Sequence, residues 1–142
     1  MRGKEASIFC AQENIFRISS RKEIPMNIPA ETRPAYFISF VQFQEPERFA
    51  EYAQLMFPAL MKYGAVPIAH IDPAGVTGSG SDAEIVEGTW AGITTVIQFP
   101  SRARLEEFYN SPEYKQASEF RSRVARSNIA LVEQFIWPPL PR

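Results

Sequence analysis

The segment Ala35–Phe43, AYFISFVQF, is apolar on both sides of a two-residue repeat. Tyr36, Ile38 and Phe40 share one face of the extended chain and Phe37, Val41 and Phe43 the other, because successive strand side chains point to opposite sides. A strand of this kind cannot lie at a solvated surface. One face needs a layer of helices, and the other needs a second cover. In so short a chain, that cover points to a second copy of the protein.

The remaining sequence supplies the helices and the rest of a sheet. Pro46 suits the first turn of a helix, where its missing N–H costs nothing. Phe49, Tyr52, Ala53, Met56, Leu60 and Tyr63 then recur at three- and four-residue steps, forming one apolar stripe. Pro58 is expected to kink this helix, and Gly64 to end it. Ala65–Ile71 reads as a second strand, Asp72–Ala83 as a flexible loop or wide hairpin, and Glu84–Gly88 as a resumption of the strand. Gly92–Phe99 is a third. Ser101 is placed to cap a helix with Leu105, Phe108 and Tyr109 on its apolar side. Ser111-Pro112 starts a second helix in tandem, carrying Tyr114, Ala117, Phe120, Arg121 and Val124 on one broad face. Ile129–Ile136 is the closing strand. The order is βαββαβ, which right-handed crossovers turn into an α+β domain: a four-stranded antiparallel sheet with helices on one face.

Six of the 12 prolines bracket this pattern: Pro25, Pro29 and Pro34 before it, Pro138, Pro139 and Pro141 after it. The expected organisation is therefore a poorly ordered N-terminal extension over residues 1–34, a domain at Ala35–Trp137, and a Pro-rich tail over 138–142. A start of translation at Met26 would remove most of the extension. Of the 15 basic and 16 acidic residues, six and four fall before Ala35, which leaves the remainder at −3. An acidic domain has no field to attract nucleic acid, and no apolar run approaches the ~20 residues of a membrane-spanning helix. The expectation is a cytoplasmic protein.

Single residues carry the remaining chemistry. Cys10 is the only cysteine and His70 the only histidine, so a disulfide framework and any multi-cysteine or two-imidazole metal site are out; no metal is expected. Gly75-Val-Thr-Gly-Ser-Gly lacks the Lys and Ser/Thr of a phosphate-binding loop, and Asp82 and Glu84 follow it. His70 and Asp72 project from one face of a strand, and a serine such as Ser39 would complete a hydrolytic set, although no serine here sits in a nucleophile elbow. Arg121 falls on or beside an apolar stripe. There it snorkels, pairs with a carboxylate such as Glu87, or presents its charge to an anionic ligand. Base stacking on the third strand is excluded, because that strand offers Ile93, Thr94, Thr95 and Val96.

Several short runs occur together in one order: Ala35-Tyr36-Phe37, Lys62-Tyr63-Gly64, Glu87-Gly88-Thr89-Trp90, Gln98-Phe99-Pro100-Ser101, Phe108-Tyr109-Asn110-Ser111-Pro112-Glu113-Tyr114, Arg121 and Leu131-Val132-Glu133. In these the chain resembles the bacterial family known as domain of unknown function 1330. The resemblance implies a ferredoxin-like monomer that pairs through its sheet into a dimeric α+β barrel. Proteins of that architecture include cofactor-independent quinol monooxygenases, muconolactone isomerases, haem-binding dismutases and peroxidases, and non-catalytic binding proteins. Fold does not carry function between them. The expectation is a homodimer binding a small organic molecule in a cleft near Glu87, Trp90, Tyr109, Tyr114 and Arg121, with no cofactor. As an enzyme it would act as a monooxygenase or isomerase on an aromatic or lactone-like compound. Tyr109, Tyr114 or His70 would handle protons, and Arg121 would hold an anionic oxygen. The alternatives are a non-catalytic binding or regulatory module, and aromatic residues that are simply core.

Overall fold

In a computed structural model of the chain, residues 32–79 and 82–138 are described. The first strand, β1 (Ala35–Phe43), buries Ala35, Phe37, Ser39 and Val41 on one side and leaves Tyr36, Ile38 and Phe40 half-buried on the other. A single 3-10 turn over Pro46–Arg48 leads into α1 (Phe49–Lys62), which turns Tyr52, Ala53, Met56, Ala59 and Leu60 inward. Pro58 lies inside this helix on its exposed side, where solvent can satisfy the carbonyl of Gln54. Gly64 follows with φ +71°, the left-handed conformation that turns the chain into β2 (Val66–Ile71). The other elements are β3 (Ile93–Phe99), α2 (Arg102–Tyr109), α3 (Pro112–Val124) and β4 (Ala125–Glu133).

The strands lie in the order β2-β3-β1-β4, and every neighbouring pair is antiparallel. This is the sheet expected from the βαββαβ pattern. Both tandem helices are capped as their sequences suggest. Ser101 Oγ accepts from Arg104 N–H at 3.2 Å. Ser111 Oγ accepts from Tyr114 N–H at 3.1 Å and donates to the Phe108 carbonyl at 2.6 Å, which ties the end of α2 to the start of α3. The core between helices and sheet centres on Phe108, whose ring meets Phe99 at 5.0 Å, Tyr114 at 4.9 Å and Phe37 edge-on at 5.8 Å.

Two expected elements differ. Glu84–Gly88 does not resume a strand: residues 82–92 are irregular, and Gly88 takes φ +73°. Its charged and apolar residues do not alternate, and both edges of β3 are already occupied by β1 and β2. The last strand begins at Ala125 rather than Ile129, directly after α3, with Ala125 opposite Phe43. Its first half, Arg126-Ser127-Asn128, is too polar to read as a strand, yet register with β1 makes it one. The expected N-terminal extension lies outside the described residues as far as residue 31, as does the tail beyond Pro138.

Candidate functional site

A cavity of about 580 Å³ lies between α1 and the β1–β3–β2 side of the sheet. Most of its wall is apolar: Phe37, Val41, Ile93 and Ile97 from the sheet, Met56, Phe57 and Leu60 from α1. That volume falls within the range of small-molecule sites. Its polar groups come from one row of the sheet and from the loop after β2. Ser39 of β1 pairs with Thr95 of β3, and Thr95 pairs with His70 of β2, so the three side chains share the helix-facing surface. Thr77, Ser79 and Asp82 reach the same cavity from the loop.

His70 joins the row to that loop. Its Nδ1 lies 3.0 Å from Thr95 Oγ1 and its Nε2 3.1 Å from Thr77 Oγ1. Thr77 donates its hydroxyl proton to Asp72 Oδ2 at 2.7 Å. With that proton committed, Nε2 must be the donor to Thr77, and in the neutral ring Nδ1 then accepts from Thr95. The outcome is a directed chain from Thr95 through His70 and Thr77 to a buried carboxylate. Asp72 also accepts from the backbone N–H groups of Val76 at 3.1 Å and Thr77 at 2.9 Å. Burial alone would push its carboxyl up; these hydrogen bonds and the nearby imidazole hold it below the ordinary 3.8. The glycine-rich run is thus not simply a flexible loop between strands. Gly75 and Gly78, at φ +68° and +69°, let residues 72–78 wrap Asp72 and seat Thr77 on His70.

A second polar cluster surrounds Arg121, which is only 4% exposed. Its Nε donates to Ser127 Oγ at 3.1 Å, Nη1 to the Tyr52 hydroxyl at 3.0 Å and Nη2 to the Tyr114 hydroxyl at 3.0 Å. Both phenol rings also stand within cation–π reach, at 5.7 and 5.6 Å. Burial opposes the guanidinium charge, but the two phenol oxygens hold its pKa above the ordinary value. Burial pushes the Tyr52 phenol up, and the Arg121 charge offsets only part of that. Arg121 neither snorkels nor pairs with Glu87.

The residues singled out from sequence therefore divide among several places. Tyr109, half-exposed, lies with its ring 5.2 Å from Tyr114, which in turn holds Arg121. These three form one group beside the cavity, linked to it through Tyr52, which lines it. His70 lines the cavity itself. Trp90 is on the other side of the sheet, edge-on to Phe40 at 6.5 Å, with its indole N–H donating to Thr94 Oγ1 at 3.0 Å. Glu87 is exposed in the irregular stretch before β3. Tyr52, Thr77 and Thr95 carry no functional signal in the sequence: Tyr52 is one of an apolar stripe, Thr77 lies within the glycine-rich run, and a threonine between Ile93 and Ile97 on the inward face of β3 is the one local hint. Among the described residues, no three His, Cys, Asp or Glu side chains gather as a metal set, and no helix is long and apolar enough to cross a membrane.

Solved structures share this architecture at low sequence identity. The RPA0582 protein of Rhodopseudomonas palustris, of unknown function, aligns with a TM-score of 0.53 at 15% identity, over 74% of this chain and 85% of that one. A conserved protein of unknown function from Bacteroides thetaiotaomicron, described as a possible oxidoreductase, aligns at 0.51 and 12% identity, over 72% and 99%. SnoaB, a cofactor-independent oxygenase from Streptomyces nogalater, aligns more loosely, at 0.45 and 9% identity, over 78% and 99%. At such identities the likeness is one of fold. No curated protein matches the sequence significantly. Residues 34–135, however, match the family described as Domain of unknown function (DUF1330), and the chain belongs to that family.

Proposed function

We propose that the cavity under α1 binds a small, largely apolar organic molecule and that His70 exchanges a proton with it. The observation that carries this reading is the cavity-lining imidazole set in a directed chain to buried Asp72. Proton uptake at Nδ1, with the Thr95 hydroxyl turning from donor to acceptor, leaves a positive ring, which Asp72 Oδ2, 3.9 Å from Nε2, stabilises through Thr77. A substrate that has lost a proton is the starting point for two reactions. Return of the proton to another atom is an isomerisation; capture of the anion by dioxygen leads to an oxygenated product and water. The expected cofactor-independent monooxygenase or isomerase activity fits either route, and oxidoreductase chemistry has been suggested for the Bacteroides protein of this fold.

The test is His70→Gln assayed against enolisable ketones, lactones and quinols. Turnover is expected to fall by about 10²-fold or more while the melting temperature and ligand affinity hold. Unchanged turnover would remove the proton role. The second reading is a non-catalytic binding module. Its support is that both ring nitrogens of His70 already meet threonine hydroxyls, as expected of an imidazole that merely fastens the loop. In that case none of these compounds turns over, yet the cavity still takes an apolar probe.

Pairing belongs to the same proposal. Tyr36, Ile38, Phe40 and Val96 share the sheet face opposite the helices and are only half-buried in the single chain. A second copy laid on that face forms the dimeric α+β barrel and gives these side chains their cover. Light scattering is expected to give twice the chain mass, and a monomer at working concentration would defeat it. A cytoplasmic location completes the proposal.

A further inference from the structure

The cavity floor changes its chemistry in steps of two residues along the strands. On β1, Phe37, Ser39 and Val41 face it in turn; opposite them on β3 stand Ile97, Thr95 and Ile93. A serine facing a threonine is thus the central pair, with an apolar pair on either side. Side chains directly across an antiparallel ladder have Cβ atoms about 5 Å apart, so the two hydroxyls converge on one spot.

The two hydroxyls differ in what they offer a ligand. Thr95 gives its proton to His70 Nδ1, which leaves lone-pair capacity on Oγ1. Ser39 is 7% exposed and lines the cavity, so its hydroxyl stands at the cavity wall opposite Thr95. A hydroxyl at the wall of an apolar cavity can donate to a ligand placed there, and a ligand that uses it forfeits less than one that leaves it facing hydrocarbon. The floor therefore presents one donor, Ser39 O–H, beside one acceptor, Thr95 Oγ1, within an apolar enclosure.

We infer that Ser39 and Thr95 form the seat for a hydroxyl group carried by an apolar ligand: the ligand's O–H donates to Thr95 Oγ1, and its oxygen accepts from Ser39. The class is an alcohol, enol or phenol. An ether has no proton for Thr95. A carboxylate has none at neutral pH either, and it would bring a second negative charge towards Asp72. This assignment rests on the proposal that the cavity holds a small molecule, and it names the group by which that molecule is recognised. Ser39 and Thr95 are positioning residues in this scheme, independent of whether His70 moves a proton.

Calorimetry with the full chain and three probes, 2-naphthol, 2-methoxynaphthalene and 2-naphthoate, tests it. The naphthol is expected to bind about tenfold more tightly than the ether, the difference of one well-placed hydrogen-bonded group, and the naphthoate no better than the ether. Thr95→Val, which keeps shape and suits a strand, and Ser39→Ala should each erase most of the naphthol preference while leaving ether affinity in place. Equal binding of naphthol and ether by the wild type, or a preference that survives both substitutions, overturns the seat. Naphthoate binding most tightly overturns the assigned class. If none of the three binds, the cavity proposal falls and this inference falls with it; if the ether binds alone or equally well, only the inference falls.

Discussion

Arg121 and His70 each stand at the centre of a polar cluster beneath the helices, and the partners they have taken differ in kind. Arg121 is enclosed: its three nitrogens donate to side-chain oxygens, and two phenol rings flank its charge. His70 lies beside a cavity, tied to a loop on one side and to a sheet row on the other, where Ser39 also lines the cavity. By charge and burial alone Arg121 is the more conspicuous functional residue. By remaining hydrogen-bonding capacity next to open space it is the less so. A buried charge with each of its three nitrogens engaged holds elements together, here α1 through Tyr52, α3 through Tyr114 and β4 through Ser127. A polar group with capacity left over, facing a volume large enough for a molecule, is the one that points to a ligand.

The largest expected effect breaks the comparison at its structural end. Arg121→Ala removes a buried side chain that bridges three elements and leaves the Tyr52 and Tyr114 hydroxyls short of a donor. A loss of about 3 kcal/mol or more of stability is expected in urea unfolding. His70→Gln, by contrast, should change stability by no more than about 1 kcal/mol, since its side chain is partly exposed and an amide can keep one of the two threonine contacts. Equal losses from both would show that the two clusters do the same work.

Single hydroxyl deletions sharpen the contrast at smaller scale. Tyr52→Phe deprives the guanidinium of one oxygen and is expected to cost about 1.5–3 kcal/mol, the range for hydrogen bonds to charged groups. Thr95→Val removes a neutral contact, places a β-branched residue on a strand, and is expected to cost under about 1 kcal/mol. Chemical denaturation of both variants decides it. A costlier Thr95→Val would make the cavity row a structural feature of the sheet rather than a site.

The elements of these clusters were more legible in the sequence than the clusters themselves. Alternation in Ala35–Phe43, the stripe from Phe49 to Leu60 and the Ser-Pro start at Ser111-Pro112 are local patterns, and local chemistry determines them. Ser39, His70 and Thr95 come together only because three strands pair in one register, and periodicity specifies the face of a strand but not its alignment with a neighbour. Tyr52 and Arg121 meet across 69 positions by the packing of α1 on α3, and no spacing rule reaches that far. Glu84–Gly88 departs from expectation for the same reason: Ile85 and Val86 suggest a strand, but the strand edges left in the sheet belong to β2 and β4. The family-like motifs identify residues without saying on which side of the sheet they lie, and Trp90 and Tyr109, neighbours by motif, are on opposite faces of the fold.

The smallest effects concern pH, and the two clusters should respond at opposite ends of the scale. Tyr52 has its phenol raised above the ordinary 10.0, chiefly by burial, so the unfolded chain releases this proton first. Stability is unaffected below that pH and declines as pH rises through it, because the unfolded state then binds fewer protons than the folded one. Asp72 has its carboxyl held below 3.8, so its contribution is complete above that value and is lost as pH falls towards the folded pKa. Melting curves across the pH range should therefore show an alkaline decline that Tyr52→Phe lessens and Asp72→Asn leaves alone, and an acid decline with the reverse dependence. The acid limb carries a further distinction. Protonated Asp72 no longer accepts the Thr77 hydroxyl as an anion, so the loop should loosen on His70 before the sheet unfolds, and amide exchange of Val76 and Thr77 should quicken at a pH where that of β1 has not changed. Simultaneous quickening in loop and strand would make the Asp72 turn an integral part of the core, and the cavity would then have no wall able to open independently.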